Sequence, residues 1–172
     1  MYEELSEINS KCQTCFRCAL GKTRHNIVFS DGVPNPKLML IGEAPGFYED
    51  KEGKPFVGKA GQLLDKIFES VGLTRKKDVY ICNTIKCRPP ENRNPLPEEK
   101  LACQEYLDAQ LRILNPKIIL ICGSVALNSL LPDKGGKNYE QETYYHSAAR
   151  PRLNSGAGVG HSGHSCSYLL AQ

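Results

Sequence analysis

Three short stretches break the polar background of this chain. Residues 37–42 (KLMLIG), 78–83 (DVYICN) and 117–122 (KIILIC) are apolar at consecutive rather than alternating positions. Short unbroken apolar runs of that kind are strands buried on both faces. Between them the spacing turns helical. Leu63, Leu64, Ile67, Phe68 and Val71 recur along residues 60–72, with Gly72 as a stop. Pro97-Glu98-Glu99 opens a second helix, with proline first and acids in the first turn, and Asn115-Pro116 closes it after about Leu114. Gly123-Ser124 opens a shorter helix through Leu131, and residues 2–11 suit a short helix at the start. Residues 47–59 read as a polar loop holding one Phe-Val pair, and the proline- and asparagine-rich residues 88–97 as another loop. Apolar strands alternating with helices predict the α/β class, with a central parallel sheet covered on both faces.

The pattern stops near residue 132. Through residue 167 the only branched aliphatics are Leu153 and Val159, among glycine, serine, histidine and tyrosine. No helix or strand period is present there. A structureless stretch of that length is unusual inside a compact domain. It is expected to be a tail, a long functional loop, or the product of a damaged reading frame.

The 172 residues suit a single domain. With 40% hydrophobic and 24% charged residues, the composition is that of a globular protein. No apolar run approaches the roughly 20 residues of a membrane span, so no membrane partner is expected. The start, MYEELSEINSK, is acidic and polar, which predicts no secretory signal and a cytoplasmic location. A net charge of +3 permits a nucleic-acid partner without requiring one.

Cysteine usage changes the picture more. The cysteines stand at 12, 15, 18, 82, 87, 103, 122 and 166. Disulfides are rare in the cytosol, so clustered thiols there point to a metal or iron–sulfur site. Cys82 and Cys122 lie inside apolar strands and are expected to pack in the core. Cys87 and Cys103 could join a thiol pair from the first segment to bind zinc or a [4Fe–4S] cluster, or could be small buried hydrophobes. Cys12, Cys15 and Cys18 share the same spacing, which leaves open whether the first pair is Cys12/Cys15 or Cys15/Cys18.

Ligands of parallel sheets bind at the carboxyl ends of the strands. Here those ends carry Gly42-Glu43-Ala44-Pro45-Gly46, Asn83 and Gly123-Ser124. The glycine-rich turn, then Glu49-Asp50, Lys54-Pro-Phe-Val-Gly58 and Tyr80-Ile-Cys-Asn-Thr-Ile-Lys-Cys-Arg-Pro-Pro90 closely resemble the type-4, iron–sulfur branch of the uracil-DNA glycosylase superfamily. The resemblance runs from about Cys15 to Leu131.

The resemblance implies a three-layer α/β/α fold with four parallel strands, acting as a monomer on uracil in single- or double-stranded DNA. It implies hydrolysis of the N-glycosidic bond of deoxyuridine, the first step of base-excision repair. It also selects a ligand set. The family's first cysteine pair precedes an aliphatic and an arginine that match Leu20 and Arg24, which selects Cys15 and Cys18, with Cys87 and Cys103, for a [4Fe–4S] cluster and leaves Cys12 spare. Phe56 resembles the aromatic that stacks the base, and Asn83 the amide that reads it. An asparagine donates to uracil O4 and accepts from N3–H, a pattern that cytosine reverses. Glu43 is expected near the sugar, and Glu49 resembles the residue that excludes thymine's methyl group. Backbone N–H groups around Ala44 and Gly46 suit an oxyanion. Arg88, Arg93, Lys54 and Lys59 flank these motifs and could meet phosphates.

One family motif is altered. His-Pro-Ser-Tyr-Leu-Leu becomes His164-Ser-Cys-Ser-Tyr-Leu-Leu170, with Ser165 and Cys166 at the His and Pro positions. His164 is one residue out of register, and His161 and His146 are further away. The expectation is that about residues 134–166 are irregular or frame-damaged and that the family's fourth strand is in doubt. An alternative function follows: an iron–sulfur DNA-binding protein that keeps the uracil pocket with impaired catalysis.

Overall fold

In a computed structural model, residues 1–131 are described, together with the backbone of residues 167–171. The helices are α1 (Tyr2–Gln13), α2 (Phe47–Glu52), α3 (Lys59–Ser70), α4 (Pro97–Leu114) and α5 (Ser124–Leu130). The strands are β1 (Asp31–Gly32), β2 (Leu38–Gly42), β3 (Val79–Asn83), β4 (Ile118–Cys122) and β5 (Ser167–Ala171). They form one sheet in the order β1-β3-β2-β4-β5.

Its centre is parallel, as the apolar runs require. β2 pairs with β3, with Gly42 beside Asn83, and on its other side with β4. The first parallel strand therefore lies between the next two. The first crossover runs from β2 to β3 and the second returns past β2 to β4, in the opposite direction, which places their helices on opposite faces. One face packs Met39, Ile41, Tyr80, Ile119 and Ile121 against Leu107 and Leu111 of α4 and Leu127 of α5. The other packs Leu40, Val79 and Ile81 against Leu64 and Phe68 of α3. Met39, Leu40 and Ile41 are all wholly buried. Each such side chain contributes about 1.5–3 kcal/mol, so the strand that carries the glycine-rich turn is also firmly held. The three-layer arrangement is thus present.

Both sheet edges are antiparallel: β1 runs against β3, and β5 against β4. The residues aligned with the altered family motif, Ser167–Ala171, form that edge strand themselves. Residues 132–166 lie outside the described residues, and with them the expected irregular or frame-damaged segment and His146, His161, His164, Ser165 and Cys166.

The predicted loop at 47–59 contains α2. It is a single six-residue turn and a half, too short to reveal a helical period. It is closed by Gly53 in the left-handed region (φ 73°), where a glycine costs least.

Candidate active site and thiol centre

The turn 42–46 and Asn83 end adjacent strands at one sheet edge. Gly42 carries no side chain, and that absence shapes the site. A β-carbon there would lie 2.5 Å from Asn83 Oδ1 and 2.7 Å from the Phe56 ring. Phe56 and Asn83, far apart in sequence, thus meet over the same backbone.

Asn83 is only 2% exposed. Its backbone carbonyl accepts a hydrogen bond from Lys86 Nζ at 2.7 Å. Its side-chain amide has no hydrogen-bond partner among the described residues. A buried amide without partners costs free energy, and a ligand with matching groups would recover it. Lys86 is itself buried, with a second bond of 2.6 Å to Gln110 Oε1. Gln110 in turn donates to the Tyr80 hydroxyl at 2.8 Å. This network fixes the end of β3 from behind. Apolar patterning gave no signal for Lys86 or Gln110.

Phe56 holds a left-handed backbone conformation, φ 53°, uncommon for a large side chain. Two features support it. Arg75 donates to the Pro55 carbonyl at 2.8 Å and to the Phe56 carbonyl, and pairs with Asp65 at 2.6 Å. Gly61 lets α3 lie directly on the Phe56 backbone, where a β-carbon would collide with the Phe56 carbonyl. Arg75 was not foreseen. Its one sequence trace is Gly61, a glycine inside a helical pattern.

The two glutamates of the turn region differ. The Glu43 carbonyl accepts from the Thr84 hydroxyl at 2.6 Å, but its carboxylate has no hydrogen-bond or ion-pair partner among the described residues. Burial pushes its pKa up, against a weaker downward pull from Lys100. Glu49 is occupied. Its carboxylate accepts from the N–H groups of Gly46 (3.1 Å), Val57 (3.0 Å) and Gly58 (3.0 Å). It ties the glycine-rich turn to the loop carrying Phe56. The Gly46 N–H is therefore engaged by Glu49, which corrects the expectation that it is free for an oxyanion. The Ala44 N–H has no partner among the described residues.

Of the flanking basic residues, Arg93 is engaged by Glu99 at 2.6 and 2.9 Å, and it too is corrected as a free phosphate ligand. Lys54 and Lys59 are exposed and Arg88 is half-buried. None of these three has a carboxylate partner among the described residues.

A second site lies on the α1 side. Cys12, Cys15, Cys18, Cys87 and Cys103 line one small cavity with Arg17, Arg24, Lys86 and Tyr106. Three separate segments supply these thiols. Donors are already directed at three of them. Arg24 Nη1 lies 3.5 Å from Cys87 Sγ, and the Lys86 N–H lies 3.3 Å from Cys103 Sγ. Burial works to raise the Cys15 pKa, but hydrogen bonds from Tyr106 and Arg17 outweigh it and hold the thiol below its ordinary value. Burial pushes Cys87 up to about 12 despite Arg24, and also raises Cys103. Cys12 is pushed up to about 12, chiefly by burial, with no hydrogen-bond donor offsetting it. It packs with Leu20, Ile27 and Tyr106, so the cavity includes it, whereas spacing left its place open. Among the described residues no three His, Cys, Asp or Glu side chains form a group that could hold a single metal ion. Cys82 is buried in the core, and Cys122 is half-buried on the α3 face.

No helix among the described residues is long and apolar enough to cross a membrane. The family model described as the uracil DNA glycosylase superfamily matches residues 29–164. A type-4 uracil-DNA glycosylase of Thermotoga maritima is 46% identical over 133 residues, covering 77% of this chain and 69% of that protein. One from Sulfurisphaera tokodaii is 40% identical over 141 residues, covering 82% and 64% respectively. One from Archaeoglobus fulgidus is 39% identical over 173 residues, covering 88% and 86%. The sheet order, the turn after β2 and the amide closing β3 accompany this likeness through most of the chain, and the chain belongs to the uracil-DNA glycosylase superfamily, on its type-4 branch.

Proposed function

We propose that this protein is a uracil-DNA glycosylase, a hydrolase that cleaves the N-glycosidic bond of deoxyuridine in DNA and so begins base-excision repair. The observation that carries the reading is the buried Asn83 amide, unpartnered among the described residues, facing Phe56 across Gly42. Uracil offers that amide an acceptor at O4 and a donor at N3–H, so both halves of the side chain are satisfied at once. Phe56 stacks on the base. A base inside a duplex must be extruded to reach such a pocket, whereas a single strand presents it more readily.

Bond cleavage leaves a cationic sugar and a uracil anion. Glu43 is the carboxylate placed for the sugar side, where it stabilises the cation or orients the attacking water. The Ala44 N–H, without a partner among the described residues, is a backbone donor of the same turn. Glu49 acts through the pocket wall: by pinning Val57 and Gly58 to Gly46 it fixes the space beside the base, where thymine would carry its methyl group. The family's donor to uracil O2 aligns with Ser165; His164, one residue out of register, is the candidate to take its place, and both lie outside the described residues.

Cys15, Cys18, Cys87 and Cys103 would hold a [4Fe–4S] cluster. Hydrogen bonds to Cys15, Cys87 and Cys103 stabilise thiolates. Cys12 is fully buried among Leu20, Ile27 and Tyr106, which supports its assignment as a core residue, while the choice of Cys18 as the fourth ligand rests on the family resemblance. Such a cluster would supply a covalent tie between the first segment, the residues after β3, and α4. Cleavage of the glycosidic bond runs on the other residues.

The test is excision by anaerobically purified protein from a uracil-containing oligonucleotide, read as alkali-labile strand breaks. Breaks at uracil and none at thymine or cytosine are expected. An unbroken strand at uracil would overturn the reading. Iron and sulfide analysis with a visible spectrum tests the cluster, and zinc in their place would refute it.

A further inference from the structure

Among the exposed large side chains of the described residues, two adjacent aromatics stand beside the candidate site. Phe47 is 50% exposed and Tyr48 is 58% exposed. They open α2, directly after the glycine-rich turn, and their rings meet edge to face with centroids 5.4 Å apart. The guanidinium of Arg88 lies over the Phe47 ring, 5.1 Å from its centroid. Arg88 is held in that pose by a 2.7 Å bond from its Nε to Asn92 Oδ1. Glu91 and Asn92 both take left-handed backbone conformations, with φ 53° and 55°. The side of the Tyr48 ring faces Gly58, where a β-carbon would lie 3.9 Å from it. Gly58 is one of the residues that Glu49 ties to the turn. The rings therefore stand on the same pair of loops that carry Phe56, outside the pocket.

We propose that Phe47, Tyr48 and Arg88 form a platform at the pocket lip that stacks an unpaired nucleobase next to the target nucleotide. The proposal rests on the reading of the chain as a DNA glycosylase. Aromatic rings hold bases of any sequence because every base has a π face. A guanidinium stacked on one ring, with no carboxylate partner among the described residues, adds a charge suited to the adjoining phosphate. Extruding a nucleotide leaves its neighbour with one bare face, and an aromatic pair beside the pocket covers it. This occupant accounts for the cation together with the rings, whereas a purely apolar partner accounts only for the rings.

The experiment uses the full chain and a single-stranded oligonucleotide. The strand carries a tetrahydrofuran abasic analogue flanked by 2-aminopurine. The probe contains no uracil, so its result is scored whether or not the protein excises uracil. Stacking should quench the 2-aminopurine on binding. Phe47→Ala and Tyr48→Ala should each weaken binding about 5- to 150-fold and restore the fluorescence. Tyr48→Phe should retain both. Arg88→Gln should reduce the slope of log Kd against log salt by about one. Unquenched fluorescence in the unaltered protein would overturn the proposal, as would alanine variants that bind like it. Alanine variants that lower Tm while binding the probe unchanged would also overturn it, because the rings would then be covered by protein.

Discussion

The base pocket and the thiol cavity lie on either side of one short segment. Asn83 ends β3 facing the pocket, and Cys87, four residues on, faces the cavity. Both sites contain buried or half-buried polar side chains, but they treat them oppositely. In the pocket the Asn83 amide and the Glu43 carboxylate have no partners among the described residues. In the cavity Cys15, Cys87 and Cys103 each already have a donor, from Arg17 and Tyr106, from Arg24 and from the Lys86 N–H. A site for a passing ligand leaves its hydrogen-bonding groups bare, so that the ligand completes them. A site for a permanent, negatively charged group directs its donors at the ligating atoms themselves.

The largest expected effect breaks the pocket side of this contrast. Asn83→Ala removes the one group matched to uracil's edge and should slow single-turnover excision on the order of 10²–10³-fold. Asn83→Asp should be informative in a different way. A protonated acid can donate to cytosine N3 and accept from its amino group, so this variant should begin to excise cytosine. Parallel assays on uracil and cytosine oligonucleotides measure both.

On the cavity side, Cys87→Ser or Cys18→Ser should abolish the visible absorption of the cluster and lower Tm on the order of 10 °C, because the ligands join distant segments. Cys12→Ser should keep the absorption. Loss of the spectrum in the Cys12 variant with retention in the Cys18 variant would reverse the ligand assignment.

A finer test concerns Glu43. Its pKa is raised by burial, and its proposed role requires the carboxylate. Excision should therefore increase as pH rises through an inflection above the ordinary glutamate value of about 4.3. Glu43→Gln should remove that inflection and leave a low, flat rate.

The smallest effect lies between the two sites. Arg93 holds the Glu99 carboxyl below its ordinary pKa, assisted by the Leu96 N–H. This contact pins the loop after Cys87 to the start of α4. A depressed carboxylate stabilises the fold above the unfolded value, and that contribution is lost as pH falls through the lower folded value. Glu99→Gln should lower Tm by about 2–4 °C at neutral pH, with the difference from the unaltered protein vanishing in strong acid. A gap that persists there would mean that the contact acts through packing alone.

Consecutive apolar residues made the central strands legible, and proline and asparagine marked both ends of α4. β1 was invisible because two residues, Asp31 and Gly32, carry no period. Asn83, Glu43 and the thiols were legible as residue types at strand ends or at repeated spacing. Their circumstances were not. Whether a carboxylate is bare like Glu43 or saturated by backbone N–H groups like Glu49 depends on loops that meet only in the fold. Arg75 was hidden for the same reason, since its partners are mostly carbonyl groups, which every residue possesses. Spacing alone also could not separate Cys12 from its neighbours, because all three first-segment cysteines reach one cavity.

Gly61 has a further consequence for how this protein tolerates change. The helix residues beside it, Ala60 and Gln62, are exposed. In a library of random substitutions those neighbours should accept most replacements. Position 61 should accept almost none, because any added carbon meets the carbonyl beneath the stacking ring. Selection for excision would then report a single fixed position between permissive neighbours, one that touches no substrate itself but bears on the backbone of the residue that does.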